Sequence, residues 1–226
     1  MVVVPLSDTT TEGAPALPGD AKRESIVDRM RSELGDALID TLVKPQQDLW
    51  LRVSAESWRA AGAALRDAIG CQYFCFLSAI DWMPSPFGRG EDDPTEPPPE
   101  RRTEIRHGYT GGTTRFQVFA RVTNLDLHVG VTIKADVPDD DLAIDSWMPL
   151  YAGADWHERE THEMFGISFR GHPDLRNMYL PTDFEGHPLR KDFPLLARLV
   201  KPWPGIVDVE PLPGESDDSE EKGESA

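Results

Sequence analysis

Apolar residues recur at two periods along this chain, and the changes of period divide it into elements. Over residues 22–38, Ile26, Val27, Met30 and Leu34 fall on one stripe with charges opposite, which predicts a first helix. Leu49, Leu51 and Val53 alternate, which predicts a short strand over 49–53. Ser54 follows as an N-cap, and Glu56 suits the positive end of the next helix. That helix is predicted over 55–69, burying Trp58, Ala61, Leu65 and Ile69 and stopping at Gly70. The continuous apolar run over 72–80 reads as a strand buried on both faces. Period two returns over 114–122, with Phe116, Val118 and Ala120 on one face. It returns again over 127–135, with Leu127, Val129, Val131 and Ile133 on one face, and Asn124, Leu125 and Asp126 form the hairpin between. A helical period follows over 142–150, behind the acidic run Asp139, Asp140 and Asp141, and over 154–165, closed by Gly166.

The rest lacks a period. Residues 1–21 read as a disordered arm, and 83–112 as a long mobile insertion between strands. Beyond Gly166, prolines follow His172, Leu180, His187, Phe193, Lys201 and Trp203, and each pushes its predecessor to extended backbone. Such a segment bonds little to itself and must lean on another surface. The expected organisation is an α+β domain over 22–153, a signature helix with an extended docking segment over 154–207, and an acidic disordered tail over 208–226. The expected fold is α+β, a mixed, mainly antiparallel sheet covered by helices, with the C-terminal segment wrapping a partner.

Charge and composition narrow the function. The 226 residues carry a formal net charge of −17, which argues against neutralising nucleic-acid phosphates. No apolar run approaches the ~20 residues of a membrane helix. The first residues lack a basic stretch and carry only a four-residue apolar run, so no secretory signal is expected. Two cysteines, Cys71 and Cys75, are too few for an iron–sulfur cluster. Placed on one strand face they lie ~13 Å apart, too far for a disulfide, and read as buried thiols.

Candidate chemistry gathers in 154–196. His157 and His162 invite comparison with the HExxH zinc helix, but their i, i+5 spacing separates the rings by about 140° around the helix. Glu160 and Glu163 share a face, as do Arg159 and Glu163, and ion pairing is the plainer reading than a two-carboxylate site. Met164 and Phe165 are apolar anchors, for the domain's own sheet or for a partner's groove. Arg190 and Lys191 form a local positive patch, and Arg190 suits a bidentate clamp on a neighbour's carboxylate. No phosphate loop or nucleophile elbow occurs.

Two blocks carry a resemblance. Glu158, Arg159, Glu160, Glu163, Met164, Phe165, Gly166 and Ile167, then His172, Pro173, Leu175, Arg176, Tyr179 and Leu180, resemble the signature of the respiratory complex I (NDH-1) 30 kDa subunit, the C subunit of NADH-quinone oxidoreductase. Glu185 to Pro194 resembles the same family's second block. The resemblance implies a non-catalytic structural subunit of the peripheral arm, on the cytoplasmic side of the cell membrane. It implies no catalytic, cofactor or metal site in this chain, with FMN and iron–sulfur clusters in partner subunits. The implied partners are the D subunit, which carries the quinone site, and the B subunit, which carries the terminal cluster. The assembly passes electrons from NADH to quinone and pumps protons. The expected contact residues are Glu158, Arg159, Glu160, Glu163, Arg176, Arg190, Lys191 and Asp192, with Met164, Phe165, Tyr179, Leu189, Phe193 and Trp203 as apolar anchors. Two other readings remain: the equivalent subunit of an energy-converting [NiFe] hydrogenase, or a stand-alone metal-dependent hydrolase.

Overall fold

The computed structural model describes residues 20–86 and 103–193. Of the expected arm over 1–21, residues 1–19 lie outside the described residues, as do 87–102 of the expected insertion, the acidic tail and Trp203, while Asp20 and Ala21 belong to the first helix and its cap.

Helix α1 (Ala21–Leu34) starts where Asp20 accepts a hydrogen bond from the N–H of Arg23, and buries Ile26, Val27 and Met30. It stops short of the predicted end. Leu38 instead opens strand β1 (Leu38–Leu42), which the period reading missed. A register shift between Leu38 and Asp40 breaks the alternation that would have marked it.

Four more strands of the sheet follow: β2 (Leu49–Val53), β3 (Tyr73–Asp81), β4 (Phe116–Asn124) and β5 (Val129–Val137). Their order is β1-β2-β5-β4-β3. Only β2 with β5 is parallel, so the sheet is mixed and mainly antiparallel, as expected. One face carries Leu49, Leu51, Val53, Leu77, Val118, Ala120, Val131 and Ile133, all fully buried. Trp58, Ala61 and Leu65 of α2 (Trp58–Asp67) join this core with the α1 residues. A single 3-10 turn precedes α2, and the Ser54 side chain makes no capping hydrogen bond there.

The two cysteines do not share a strand face. Cys71 precedes β3, and burial pushes its thiol up to about 12. Cys75 sits at a bulge between Phe74 and Phe76, with Sγ 3.0 Å from Arg121 Nη1.

The end of the expected insertion is built into the sheet's second face. Tyr109 meets Trp50 edge-on at 5.2 Å, and Lys134 Nζ donates to the Gly111 carbonyl at 2.7 Å. Burial pulls the Lys134 ammonium down to about 8.

The predicted helix over 142–150 is replaced by strand β6 (Ala143–Asp145) and a turn. Strand β6 pairs in parallel with β7 (Ser168–Arg170), and the signature helix α3 (Ala154–Phe165) lies between them in sequence. This pairing is non-local, so no period within 142–150 encodes it. Trp147 is fully buried, stacks on Trp58 at 4.5 Å, and donates its indole N–H to the Trp58 carbonyl. Gly62 makes room for that indole: a Cβ there would lie 2.5 Å from Trp147 Cε2. Gly62→Ala should therefore destabilise by about 1–3 kcal/mol, although alanine is the better helix former. A thermal midpoint at or above wild type would contradict this packing.

Candidate docking site

Helix α3 has two working faces. Ala154, Glu158, Thr161 and Phe165 point inward. Glu158 is fully buried, although it was expected at a subunit contact. Its Oε2 accepts from Ser146 Oγ at 2.6 Å and its Oε1 from the Trp147 N–H at 2.5 Å. The carboxylate thus holds the turn that replaced the predicted helix. Burial pushes its pKa up to about 7, against the pull of those two hydrogen bonds.

Trp156, Arg159, Glu160 and Glu163 form the other stripe at helical spacing. The expected Arg159–Glu163 ion pair is not the main interaction of either residue. Arg159 Nε and Nη2 donate to the carbonyls of Arg176 and Asn177, at 3.1 and 3.4 Å. Glu163 accepts from the N–H groups of Met178, Tyr179 and Leu180, at 3.1, 3.1 and 2.6 Å. A cation on carbonyls and a carboxylate on amides clamp one turn of helix to residues 176–180. Burial pushes the Glu163 carboxyl up, but the three N–H groups outweigh it and leave its pKa below the usual value.

The second block closes the C-terminus of α3. Gly166 takes a left-handed φ of +75°, which favours glycine, and a Cβ there would meet Arg190 and His187 within 2.6 Å. The last carbonyls of a helix have no intrahelical partner. Here His187 Nδ1 bonds the Glu163 carbonyl at 2.8 Å, the Leu189 N–H the Met164 carbonyl at 3.1 Å, and Arg190 Nε the Phe165 carbonyl at 2.6 Å. The Arg190 cation also complements the helix dipole. Arg190 thus has a partner within its own chain.

Of the remaining contact residues, Arg176, Tyr179, Leu189, Lys191 and Asp192 are exposed. Glu160, Met164 and Phe193 are half-buried, and Phe165 belongs to the core. Phe193 stacks on Phe184 at 6.0 Å. Trp156 is 66% exposed and was not among the expected anchors, although its place on the Glu160–Glu163 stripe was readable. Asp81 and Arg115 also belong to the site: the Lys191 N–H donates to Asp81, and Asp192 pairs with Arg115. Sequence separations of 110 and 77 residues hid them.

The histidines are engaged one by one. His157 meets Phe74 edge-on, His162 bonds the Ile167 carbonyl, and His172 Nε2 lies 3.0 Å from Asp155 Oδ1. Among the described residues, no group of three or more His, Cys, Asp or Glu side chains is placed to hold a metal ion, and no helix is long and apolar enough to cross a membrane.

Comparison with known proteins agrees with this architecture. The family described as respiratory-chain NADH dehydrogenase, 30 Kd subunit, matches residues 51–198. The NADH-quinone oxidoreductase C subunit of Thiobacillus denitrificans is 34% identical over 175 residues, 76% of either chain. The C/D subunit of Cronobacter sakazakii is 42% identical over 88 residues, 39% of this chain and 15% of that one. A chain of the membrane-bound sulfane sulfur reductase, an archaeal respiratory membrane complex, shares the fold with a TM-score of 0.55 at 21% identity, covering 78% of this chain and 88% of that one. The protein is therefore part of an oxidoreductase complex. It belongs to the family of the 30 kDa subunit of respiratory-chain NADH dehydrogenase, complex I.

Proposed function

We propose that this chain is a structural subunit of the peripheral arm of a proton-pumping NADH:quinone oxidoreductase, docking on the quinone-site subunit. The observation that carries this reading is the use made of the signature residues. Arg159 and Glu163 hold residues 176–180, and His187 and Arg190 close the end of α3, so the two blocks form one rigid unit in cis. Beside the exposed Arg176, Lys191 and Asp192, the unit turns four aromatic and apolar side chains outward: Trp156, Tyr179, Phe184 and Leu189, all at least 38% exposed. Aromatic side chains on a rigid frame suit a subunit interface. The joined C/D name of the Cronobacter relative supports the D subunit, with its quinone site, as the neighbour.

In this reading the chain brings no catalytic site of its own. FMN and the iron–sulfur clusters belong to other subunits, the bearer of the terminal cluster is a second neighbour, and the chain reaches the cytoplasmic side of the membrane through the complex.

The test is purification of the tagged full chain from its own host in mild detergent. The expected result is recovery of the quinone-site subunit and the cluster-bearing subunits. Recovery with a [NiFe] hydrogenase large subunit would move the chain to that assembly. Recovery alone, with substrate turnover, would overturn the structural role.

A further inference from the structure

Three consecutive residues of the second block are fastened to three different elements. Arg190 is held by the Phe165 carbonyl at the end of α3. The Lys191 N–H donates to Asp81 Oδ2 at 2.8 Å, at the end of β3. Asp192 pairs with Arg115, just before β4, at 2.9 Å. The centre of this arrangement is the Asp81 side chain, which is fully buried. Besides Lys191 it accepts from Arg115 Nε and Nη2, at 3.0 and 2.7 Å, and from the Met83 N–H at 3.0 Å. Arg115 thus lies between an inner carboxylate and an outer one that is 46% exposed.

We infer that Asp81 and Arg115 form a latch that fixes the place and direction of residues 190–193 at the docking site. Arg115 and Met83 supply three of the four hydrogen bonds that Asp81 accepts, and the second block supplies the fourth. The block uses the latch from outside. One fastening would tether the segment, whereas fastenings to a helix end and two strand ends also fix its orientation. The latch stays charged around neutral pH. Burial pushes the Asp81 carboxyl up, but Arg115 and the N–H groups of Lys191 and Met83 outweigh that and hold it below its usual value.

The inference rests on the docking reading, and the experiment separates the two. Asp192→Asn removes the outer pair alone, Arg115→Gln removes the outer and inner pairs together, and Asp192→Glu keeps the outer charge. In the purified full chain, trypsin should cut after Arg190 and Lys191 about tenfold faster in the first two variants, the factor that follows from losing a charge-assisted hydrogen bond. The melting temperature should stay near wild type in Asp192→Asn and fall in Arg115→Gln, which leaves the buried Asp81 without its guanidinium, and Asp192→Glu should restore slow cleavage. In host membranes, retention of the quinone-site subunit should fall in parallel with cleavage. Unchanged cleavage in both variants would overturn the latch. So would loss of the whole melting transition in both, which would make the pair a support of the core. If the wild-type chain retains no partner at all, the docking reading fails, while the cleavage result still decides the latch.

Discussion

Glu163→Ala should release residues 176–180 while the sheet stays folded. The wild-type carboxylate accepts from three consecutive N–H groups, of Met178, Tyr179 and Leu180, and the residue is only 3% exposed. Alanine offers no acceptor, and residues 176–180 lie outside the sheet, so no strand pairing replaces it. Hydrogen bonds to a charged group are worth more than neutral ones, and they act here as a set. The expected loss of local stability is about 3 kcal/mol, a roughly hundredfold fall in hydrogen-exchange protection at those amides. Recovery with the partner subunits should fall with it, because Tyr179 would lose its frame. Protection at residues 178–180 equal to wild type would show that the carboxylate does not hold this segment.

The second large effect is a pH dependence owed to Glu158. Its folded pKa is raised by burial to about 7, against an ordinary value of 4.5. Below pH 4.5 the folded and unfolded chains both carry the proton, and the group adds no pH dependence. Between 4.5 and 7 only the folded chain keeps it, so raising the pH lowers stability. Above 7 both have lost it and the penalty is constant. The swing amounts to about 3 kcal/mol. Asp48, Asp81, Glu163 and Asp192 act in the opposite sense, since their lowered pKa values give stability that is lost on acidification. The difference between wild type and Glu158→Gln isolates the buried group. Glutamine can accept from Trp147 and donate to Ser146 without taking a charge. Urea unfolding at a series of pH values should show glutamine gaining on wild type by about 3 kcal/mol between pH 4.5 and 8. A constant difference across that range would mean that Glu158 ionises inside the fold as it does in water.

Local physics was legible in the sequence wherever one element carried its own signal. The bounds of α3 follow from its period and from Gly166, and the core faces of β2, β4 and β5 follow from alternation, except that Leu127, expected on the last of these faces, lies 38% exposed in the turn before Val129. Strand β1 was not legible because its bulge spoils the alternation. Strand β6 was not, because its partner β7 lies beyond α3 in the chain. The stretch over 107–112 read as insertion because glycines and polar residues dominate it. It is ordered by contacts with Trp50, Gln117 and Lys134, which its own residues do not announce.

By itself the sequence determined the fold class, the signature helix and the family, because period and motif are properties of neighbouring residues. Tertiary structure alone decided what the motif residues do. Glu158 turns inward, Arg159 and Glu163 grip a peptide more than a dozen residues away, and Arg190 closes a helix end. A carboxylate or guanidinium takes its role from the donors and acceptors brought within about 3 Å of it, and chain folding sets that distance independently of sequence spacing.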